Sequence, residues 1–335
     1  MAAGKSYVRF GTALVSWRDV TYTKVANCGS GGSSDVYLTL ATSGPRRGVS
    51  FAVKVFSAAG REDWRLNFMR EVHVLRDCDH PAIVKIVDEG VYQNRYPFFV
   101  MEYLPETLSK ALRTSDLDDT AKISIVLQLL SALNYLSRRD PPVVHRDIKP
   151  SNVFLKTGSC LLGDFGLILQ GDESQQNQAT KETVRGVPEM AKNYRTPELV
   201  AYHIGGPKPP PSSDVFQLGL VAAELFTGTN PLVPDNPGKP PRLRPLANVP
   251  GSLGAPIKSL LEQMLILETK LRPSASELSI GWQALLLAQH KRNHSERRVA
   301  RIKMATQETP PAPPASDRPR SPPKREFGAG IFDEE

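Results

Sequence analysis

Cysteine is scarce in this 335-residue sequence: Cys28, Cys78 and Cys160 are too few and too scattered for a disulfide framework or a thiolate metal site. They read as reduced, mostly structural thiols of a cytoplasmic chain, with Cys28 expected to be buried although it abuts a glycine-rich run. The opening residues Met1-Ala2-Ala3-Gly4-Lys5 lack an apolar stretch, so no signal peptide is expected. The apolar segment Leu218 to Phe226 is interrupted by Glu224 and is too short to cross a bilayer. No internal repeat is present. The formal charge of +7 comes largely from the C-terminal segment, and no basic face interleaves with aromatics, so nucleic acid is not an expected partner.

With 40% hydrophobic and 23% charged residues, the chain has the composition of an ordinary globular protein and the length for about two lobes. Residues 1–20 read as a leader with a short strand near Tyr7–Phe10. Tyr22–Ala26 and Asp35–Ala41 read as strands joined by a turn over Asn27–Ser34. Ser50–Phe56 is nearly all apolar apart from Lys54 and predicts a strand buried on both faces. Arg61–Cys78 has helical spacing, with Phe68, Val72 and Leu75 on one stripe, and strands follow near Val84–Val91 and Pro97–Glu102.

From Leu108 the pattern turns helical: Thr120–Arg138 repeats Ile123, Val126, Leu127, Leu130, Leu133 and Leu136, and further helices are predicted at Ser213–Thr227, Ala255–Leu267 and Ser274–His290. The expected fold class is therefore α+β, with a small β-rich lobe (21–103) carrying one main helix and a larger helical lobe (104–290). Residues 291–335 are basic and then proline-rich, a composition expected to be disordered.

Three segments carry chemistry. Gly29, Gly31 and Gly32 allow the backbone to turn sharply and offer N–H groups to phosphate oxygens. Lys54, in an apolar strand, demands an anionic partner, for which Glu71 on the following helix is the natural candidate. His145-Arg146-Asp147-Ile148-Lys149-Pro150-Ser151-Asn152 places a carboxylate, an ammonium and an amide on one proline-stiffened loop, and Asp164-Phe165-Gly166 follows. Asp164 and Asn152 suit Mg2+, which takes few oxygen ligands besides water and phosphate. Asp147 is then available to accept a hydroxyl proton, and Lys149 to neutralise a transferred phosphoryl group.

From about Tyr22 to His290 the sequence resembles the eukaryotic-type protein kinase family. The residues that carry the resemblance are Gly29-Ser30-Gly31 with Val36, Lys54, Glu71, the His145–Asn152 loop, Asp164-Phe165-Gly166, Pro197-Glu198, Asp214 with Gly219, and Arg272. The resemblance implies a two-lobed fold with ATP in the cleft. Cys28, Gly29, Ser30, Gly31, Gly32, Ser33 and Ser34 would form the phosphate loop, and Val36, Ala52 and Phe154 would sandwich the adenine. Met101 would stand beside the adenine, with the backbone of Glu102 and Leu104 bonding to it. Lys54, paired with Glu71, would bind phosphates, and Asn152 and Asp164 would hold Mg2+. Asp147 would position the substrate hydroxyl, Leu75, Ile86, His145 and Phe165 would stack as a column, and Glu198 would pair with Arg272.

Lys149 marks the serine/threonine form of the catalytic loop, so protein substrates with Ser or Thr acceptors are expected. Aminoglycoside-type phosphotransferases, which share a related fold, typically lack the His-Arg-Asp and Pro-Glu signatures. The rival readings are a scaffold with little catalysis and a small-molecule kinase. Three positions depart from the family pattern: Ser34 stands at the third glycine, Thr196 replaces alanine before Pro197, and the segment Arg185–Lys192 lacks the glycine-threonine pair of the docking loop. Thr180 and Thr183 are candidate phosphate acceptors whose phosphate Arg146 would bind, and the basic, proline-rich tail is a candidate docking arm.

Overall fold

The computed structural model describes residues 8–58, 60–114, 117–170, 193–236 and 238–307. Its first layer is a six-stranded antiparallel sheet in the order β1-β2-β3-β4-β6-β5, made of β1 (Ala13–Val15), β2 (Thr21–Ser30), β3 (Ser34–Ala41), β4 (Ser50–Phe56), β5 (Ile86–Tyr92) and β6 (Tyr96–Glu102). β4 lies between β3 and β6 and is buried on both faces, as its apolar run predicts. One sheet face packs on α1 (Glu62–Asp77) through tilted ring contacts of Phe68 with Phe56 and Phe99. The other holds a separate core built from Tyr22, Tyr37, Phe51, Val53, Val55, Phe98 and Val100.

The start of the packed region differs from the expected leader. Val8 and Leu14 are fully buried against that second core, and β1 joins the sheet beside β2 with Leu14 opposite Tyr22. The predicted strand near Tyr7–Phe10 is replaced by one at Ala13–Val15, where only the middle residue points inward; Tyr7 lies outside the described residues. A three-residue strand carries too little alternation to announce itself.

The larger lobe contains α2 (Leu108–Thr114), α3 (Asp119–Ser137), α4 (Pro197–His203), α5 (Ser212–Thr227), α6 (Gly254–Met264) and α7 (Ala275–Gln307). α3 starts where the Asp118 carboxylate accepts from the Ala121 amide at 2.7 Å, which satisfies one of the unpaired N–H groups of the first turn. α5 is buried along almost its whole length and ends on Gly228 in the left-handed conformation at φ 74°. Short pairings β7 (Val143–Val144) with β10 (Leu169–Gln170) and β8 (Val153–Lys156) with β9 (Ser159–Leu162) bracket the loop between the lobes. These pairings, α2 and α4 were not among the predicted elements; each is short, and β8 turns into β9 through Gly158 at φ 72°.

The chain divides into two compact units, Met1–His290 and Lys291–Glu335. α7 continues beyond the predicted end at His290 to Gln307, so the first part of the basic segment is helical rather than disordered. Arg, Lys, Glu and Ala are good helix formers, and the first proline after His290 is Pro310, so charge alone does not end the helix. Among the described residues, no helix is long and apolar enough to cross a membrane.

Candidate active site

The glycine-rich segment is shaped differently from the expected eight-residue turn. β2 runs on to Ser30 through register shifts between Lys24 and Ala26 and between Asn27 and Gly29, and the turn to β3 is closed by the Gly31 amide donating to the Ser34 carbonyl at 2.8 Å. Cys28, Gly29, Ser30, Gly31, Ser34 and Val36 line a cleft of about 320 Å³. Gly32 and Ser33 do not line it. A Cβ on Gly32 would lie 3.5 Å from the Trp64 indole of α1, and the Ser33 carbonyl accepts from the Ser57 amide at 2.8 Å. Cys28 is exposed, contrary to the burial expected for it, because β2 from Val25 onward has left the core and at Cys28–Ser30 lines the cleft.

β4 carries Lys54 into the same cleft, opposite Val36 on β3 and Phe99 on β6. Its ammonium donates to both oxygens of Glu71, at 2.7 and 2.9 Å, and to Asp164 Oδ1 at 2.8 Å. Burial would depress its pKa, but Asp164 and Glu71 hold it above the usual lysine range. In return Lys54 holds the Asp164 carboxyl down to about 2, against the effect of burial. Glu71 is 2% exposed, whereas the Asp164 side chain is 47% exposed and open to the cleft.

Val36 and Ala52 on the sheet and Phe154 on β8 line the cleft together with Met101, Glu102 and Leu104 at the junction of the lobes. Gly163, just before Asp164, leaves no room for a side chain: a Cβ there would lie 2.7 Å from the Phe154 ring and 3.1 Å from Val84. Val84, Phe99, Tyr103, Thr107 and Ser151 also line the cleft. They were not among the expected site residues; Val84 and Phe99 are apolar side chains that carry no chemical signature of their own, and Tyr103, Thr107 and Ser151 are polar residues of kinds common on any surface.

The His145–Asn152 loop is held by α5. The Asp214 carboxylate on α5 accepts from the amides of His145 at 2.7 Å and Arg146 at 2.9 Å, while Arg146 sits in the left-handed region at φ 68°. Asp147 Oδ2 accepts from Lys149 Nζ at 2.7 Å and from Asn152 Nδ2 at 3.0 Å, and Asn152 Nδ2 also donates to the Asp147 carbonyl at 2.8 Å. All three side chains are buried. Burial pushes the Asp147 carboxyl up, opposed by Lys149.

The His145 ring donates through Nε2 to the Gly163 carbonyl at 3.2 Å and accepts at Nδ1 from the Asp147 amide at 3.3 Å, so the imidazole is neutral; burial lowers its pKa to about 4. His145 meets Phe165 edge-on at 4.6 Å, and Phe165 shares a core with Leu75 while Ile86 packs against that core. The Arg146 guanidinium donates to the carbonyls of Leu167 and Ile168. Glu198 and Arg272 form a buried ion pair at 2.8 Å, and Arg272 also donates to the Ser212 carbonyl at 2.7 Å.

The donor set fits Mg2+ bound with nucleotide phosphates. Among the described residues, no cluster of three or more His, Cys, Asp or Glu could hold a metal by itself. Asp164 presents a half-exposed carboxylate, and Asn152 commits Nδ2 to Asp147 while its Oδ1 meets only the Ser151 hydroxyl at 3.4 Å among the described residues. Two oxygen ligands that leave room for water and phosphate match the preference of this ion.

Comparison with known sequences gives the same answer as this geometry. Residues 22–280 match the family model described as protein kinase domain. The chain belongs to the protein kinase family. It is 30% identical over 274 residues to Serine/threonine-protein kinase pak-1 of Caenorhabditis elegans, an alignment that covers 78% of this chain and 44% of the relative. Serine/threonine-protein kinase shk2 of Schizosaccharomyces pombe is 28% identical over 279 residues (79% and 44%), and Serine/threonine-protein kinase PAK 1 of Mus musculus is 28% identical over 264 residues (77% and 45%). The chain spans less than half the length of these curated relatives.

Two departures from the kinase pattern have local explanations. Ser34, at the third glycine position, lies within β3 opposite Phe56, an extended conformation that any residue adopts. Thr196, in place of alanine, caps α4 by accepting from the Leu199 amide at 3.0 Å and shares a hydrogen bond with Ser213 at 2.7 Å. The third departure, Arg185–Lys192, and the candidate acceptors Thr180 and Thr183 lie outside the described residues.

Proposed function

We propose that this chain is an ATP- and Mg2+-dependent protein kinase that phosphorylates serine and threonine hydroxyls of protein substrates. The observation that carries the reading is that the Lys54–Glu71 pair, Asp164 and Asn152 line one cleft, and that Asn152 is hydrogen-bonded to Asp147, which also accepts from Lys149; Asp147 and Lys149 themselves do not line the cleft. Cys28 to Gly31 and Ser34 cover the phosphates, with Lys54 on the α- and β-phosphates. Val36, Ala52 and Phe154 enclose the adenine beside Met101, and the backbone of Glu102 and Leu104 bonds to its edge. Asn152 and Asp164 would hold Mg2+, which would supply positive charge to neutralise the phosphates.

In the transfer itself, the acceptor hydroxyl oxygen bonds to the γ-phosphorus as the bond to the β–γ bridging oxygen breaks and ADP departs. Asp147 orients the hydroxyl and takes its proton, a role that burial favours by raising the basicity of its carboxylate. Lys149 shares the charge that develops on the transferred group. The experiment is transfer of labelled phosphate from ATP to a generic protein substrate, with Mg2+ supplied or chelated, by wild type and by Asp147→Ala. Mg2+-dependent transfer by wild type and its loss in the variant support the reading. No transfer by wild type, or phosphate on metabolites and never on serine or threonine, overturns it.

The same reading extends to regulation and partners. Phosphorylation of Thr180 or Thr183 would order the segment that begins at Leu167 and Ile168, whose carbonyls Arg146 already engages. Mass spectrometry after incubation with ATP tests this, and absence of phosphate between Leu167 and Arg195 counts against it. The basic residues from Lys291 and the prolines beyond serve as a docking arm for a partner with an acidic or aromatic-lined face. Its deletion should leave transfer to a generic substrate intact. Free thiols at all three cysteines fit a cytoplasmic location.

A further inference from the structure

Gln217 is a polar residue in the middle of the most deeply buried helix of the protein, and it is 0% exposed. An amide in such a place is costly unless both ends are bonded. Here three hydrogen bonds satisfy it, and every one goes to backbone outside its own helix. Oε1 accepts from the Ile148 amide at 2.9 Å, and Nε2 donates to the Arg146 carbonyl at 3.0 Å and to the Tyr194 carbonyl at 2.8 Å.

The first two bonds grip the peptide groups on either side of Asp147. The third grips the segment that enters α4, where the Tyr194 hydroxyl donates to Glu224, also on α5, at 2.5 Å. Asp214, one helical turn earlier, already uses one oxygen for the His145 amide and the other for the Arg146 amide. Gln217 donates to the carbonyls of Arg146 and Tyr194 and accepts from the Ile148 amide, none of which Asp214 bonds. A primary amide at position 217 supplies both donor and acceptor. The bonds also fix Arg146 in its left-handed conformation, which a chain free to relax would leave.

We infer that Gln217 is a positioning residue for phosphoryl transfer, which sets the Asp147 carboxylate in register with the segment that precedes Pro197. The inference rests on the kinase reading above. Gln217 is fully buried and does not line the cleft, so its loss should act on turnover and not on ATP affinity.

Two full-length variants separate its bonds. Gln217→Glu keeps an acceptor for the Ile148 amide and turns an oxygen toward the Arg146 and Tyr194 carbonyls. Gln217→Met removes all three bonds at similar volume. With a generic protein substrate, we expect kcat to fall about 100-fold in both variants at unchanged KM for ATP, the size of effect that a displaced catalytic group produces. Hydrogen exchange at the Ile148 amide should accelerate in Gln217→Met and stay slow in Gln217→Glu. Folded variants with wild-type kcat, or a loss confined to KM for ATP, would overturn the inference. So would an Ile148 amide that exchanges as slowly in Gln217→Met as in wild type. If wild type transfers no phosphate the kinase reading fails, and the exchange measurement still decides whether the clamp exists.

Discussion

Replacing Lys54 by methionine strips Glu71 of the ammonium that both of its oxygens accept from. Glu71 is 2% exposed, so water cannot replace the lost partner. Breaking a buried ion pair from one side costs about 3–5 kcal/mol, because the remaining charge is left uncompensated. For a domain of this size, about 2 °C of melting temperature per kcal/mol gives a fall of roughly 6–10 °C at pH 8. The deficit should also depend on pH. Burial already pushes the Glu71 carboxyl up against the pull of Lys54, and removing Lys54 raises it further. A raised folded-state pKa means that the folded protein holds the proton more tightly than the unfolded chain, so stability returns as pH falls through that pKa, at about 1.4 kcal/mol per unit. Thermal melts of wild type and Lys54→Met between pH 5 and 8 read this directly. The double variant Lys54→Met/Glu71→Met should recover much of the stability, since the fully buried Glu71 charge is gone and only the half-exposed Asp164 has lost its partner, and it should still transfer no phosphate. A single variant that melts with wild type at every pH, or a double variant no more stable than the single, would refute the reasoning.

Asp147→Asn keeps the size of the side chain and removes the carboxylate proposed to accept the proton. Turnover should drop about 10²–10⁴-fold while nucleotide binding, followed by calorimetry, is retained. His145, fully buried, is held at about 4 against its ordinary 6.5. The unfolded chain therefore binds the extra proton between those values, and stability is lost as pH falls through that window. His145→Phe should remove this contribution, so the wild-type advantage measured by urea unfolding should shrink between pH 7 and 4 by something on the order of 3 kcal/mol. Asp214, raised to about 7 by burial against the bonds from Arg146 and His145, has the opposite slope, but it is common to both proteins and cancels in the difference. Gly163→Ala drives a methyl group into Phe154 and Val84; stability should fall by about 1–3 kcal/mol and KM for ATP should rise more than kcat falls.

The parts of the site that sequence alone revealed share a physical property. Each is chemically incongruous where it stands. Lys54 is a cation in an apolar strand, and Asp147, Lys149 and Asn152 crowd one proline-stiffened loop, so cost or density marks them. The strands and helices that were legible include α1, α3, α5 and α6, by their helical period, and β3, β4, β5 and β6, by strand-length runs of apolar residues. What escaped was short or silent. β1 has three residues, and its one buried side chain, Leu14, cannot declare an alternation. Gly32 and Ser33 were assigned to the cleft because they sit among glycines, but which way a turn faces depends on Trp64, a residue on another element. The helical stretch after His290 was hidden by reading charge as disorder.

Gln217 shows most clearly why such residues stay hidden. In sequence it is one polar position in an apolar helix, separated by 69 residues from the Ile148 amide it serves. Nothing within the helix says that it needs a partner, and nothing within the catalytic loop says that its backbone lacks one. The need arises from the loop's irregularity. A chain that passes through a left-handed residue at Arg146 and a turn of 3-10 helix at Pro150–Asn152 cannot pair its own N–H and C=O groups as a helix or sheet would. Buried and unpaired, those groups would cost more than the loop could recover in local contacts, so side chains from elsewhere must complete them. α5 does this with Asp214 for two donors and Gln217 for a mixed set. The burial of α5 follows from the same role, because a helix that clamps a catalytic loop from beneath has to run through the middle of the lobe.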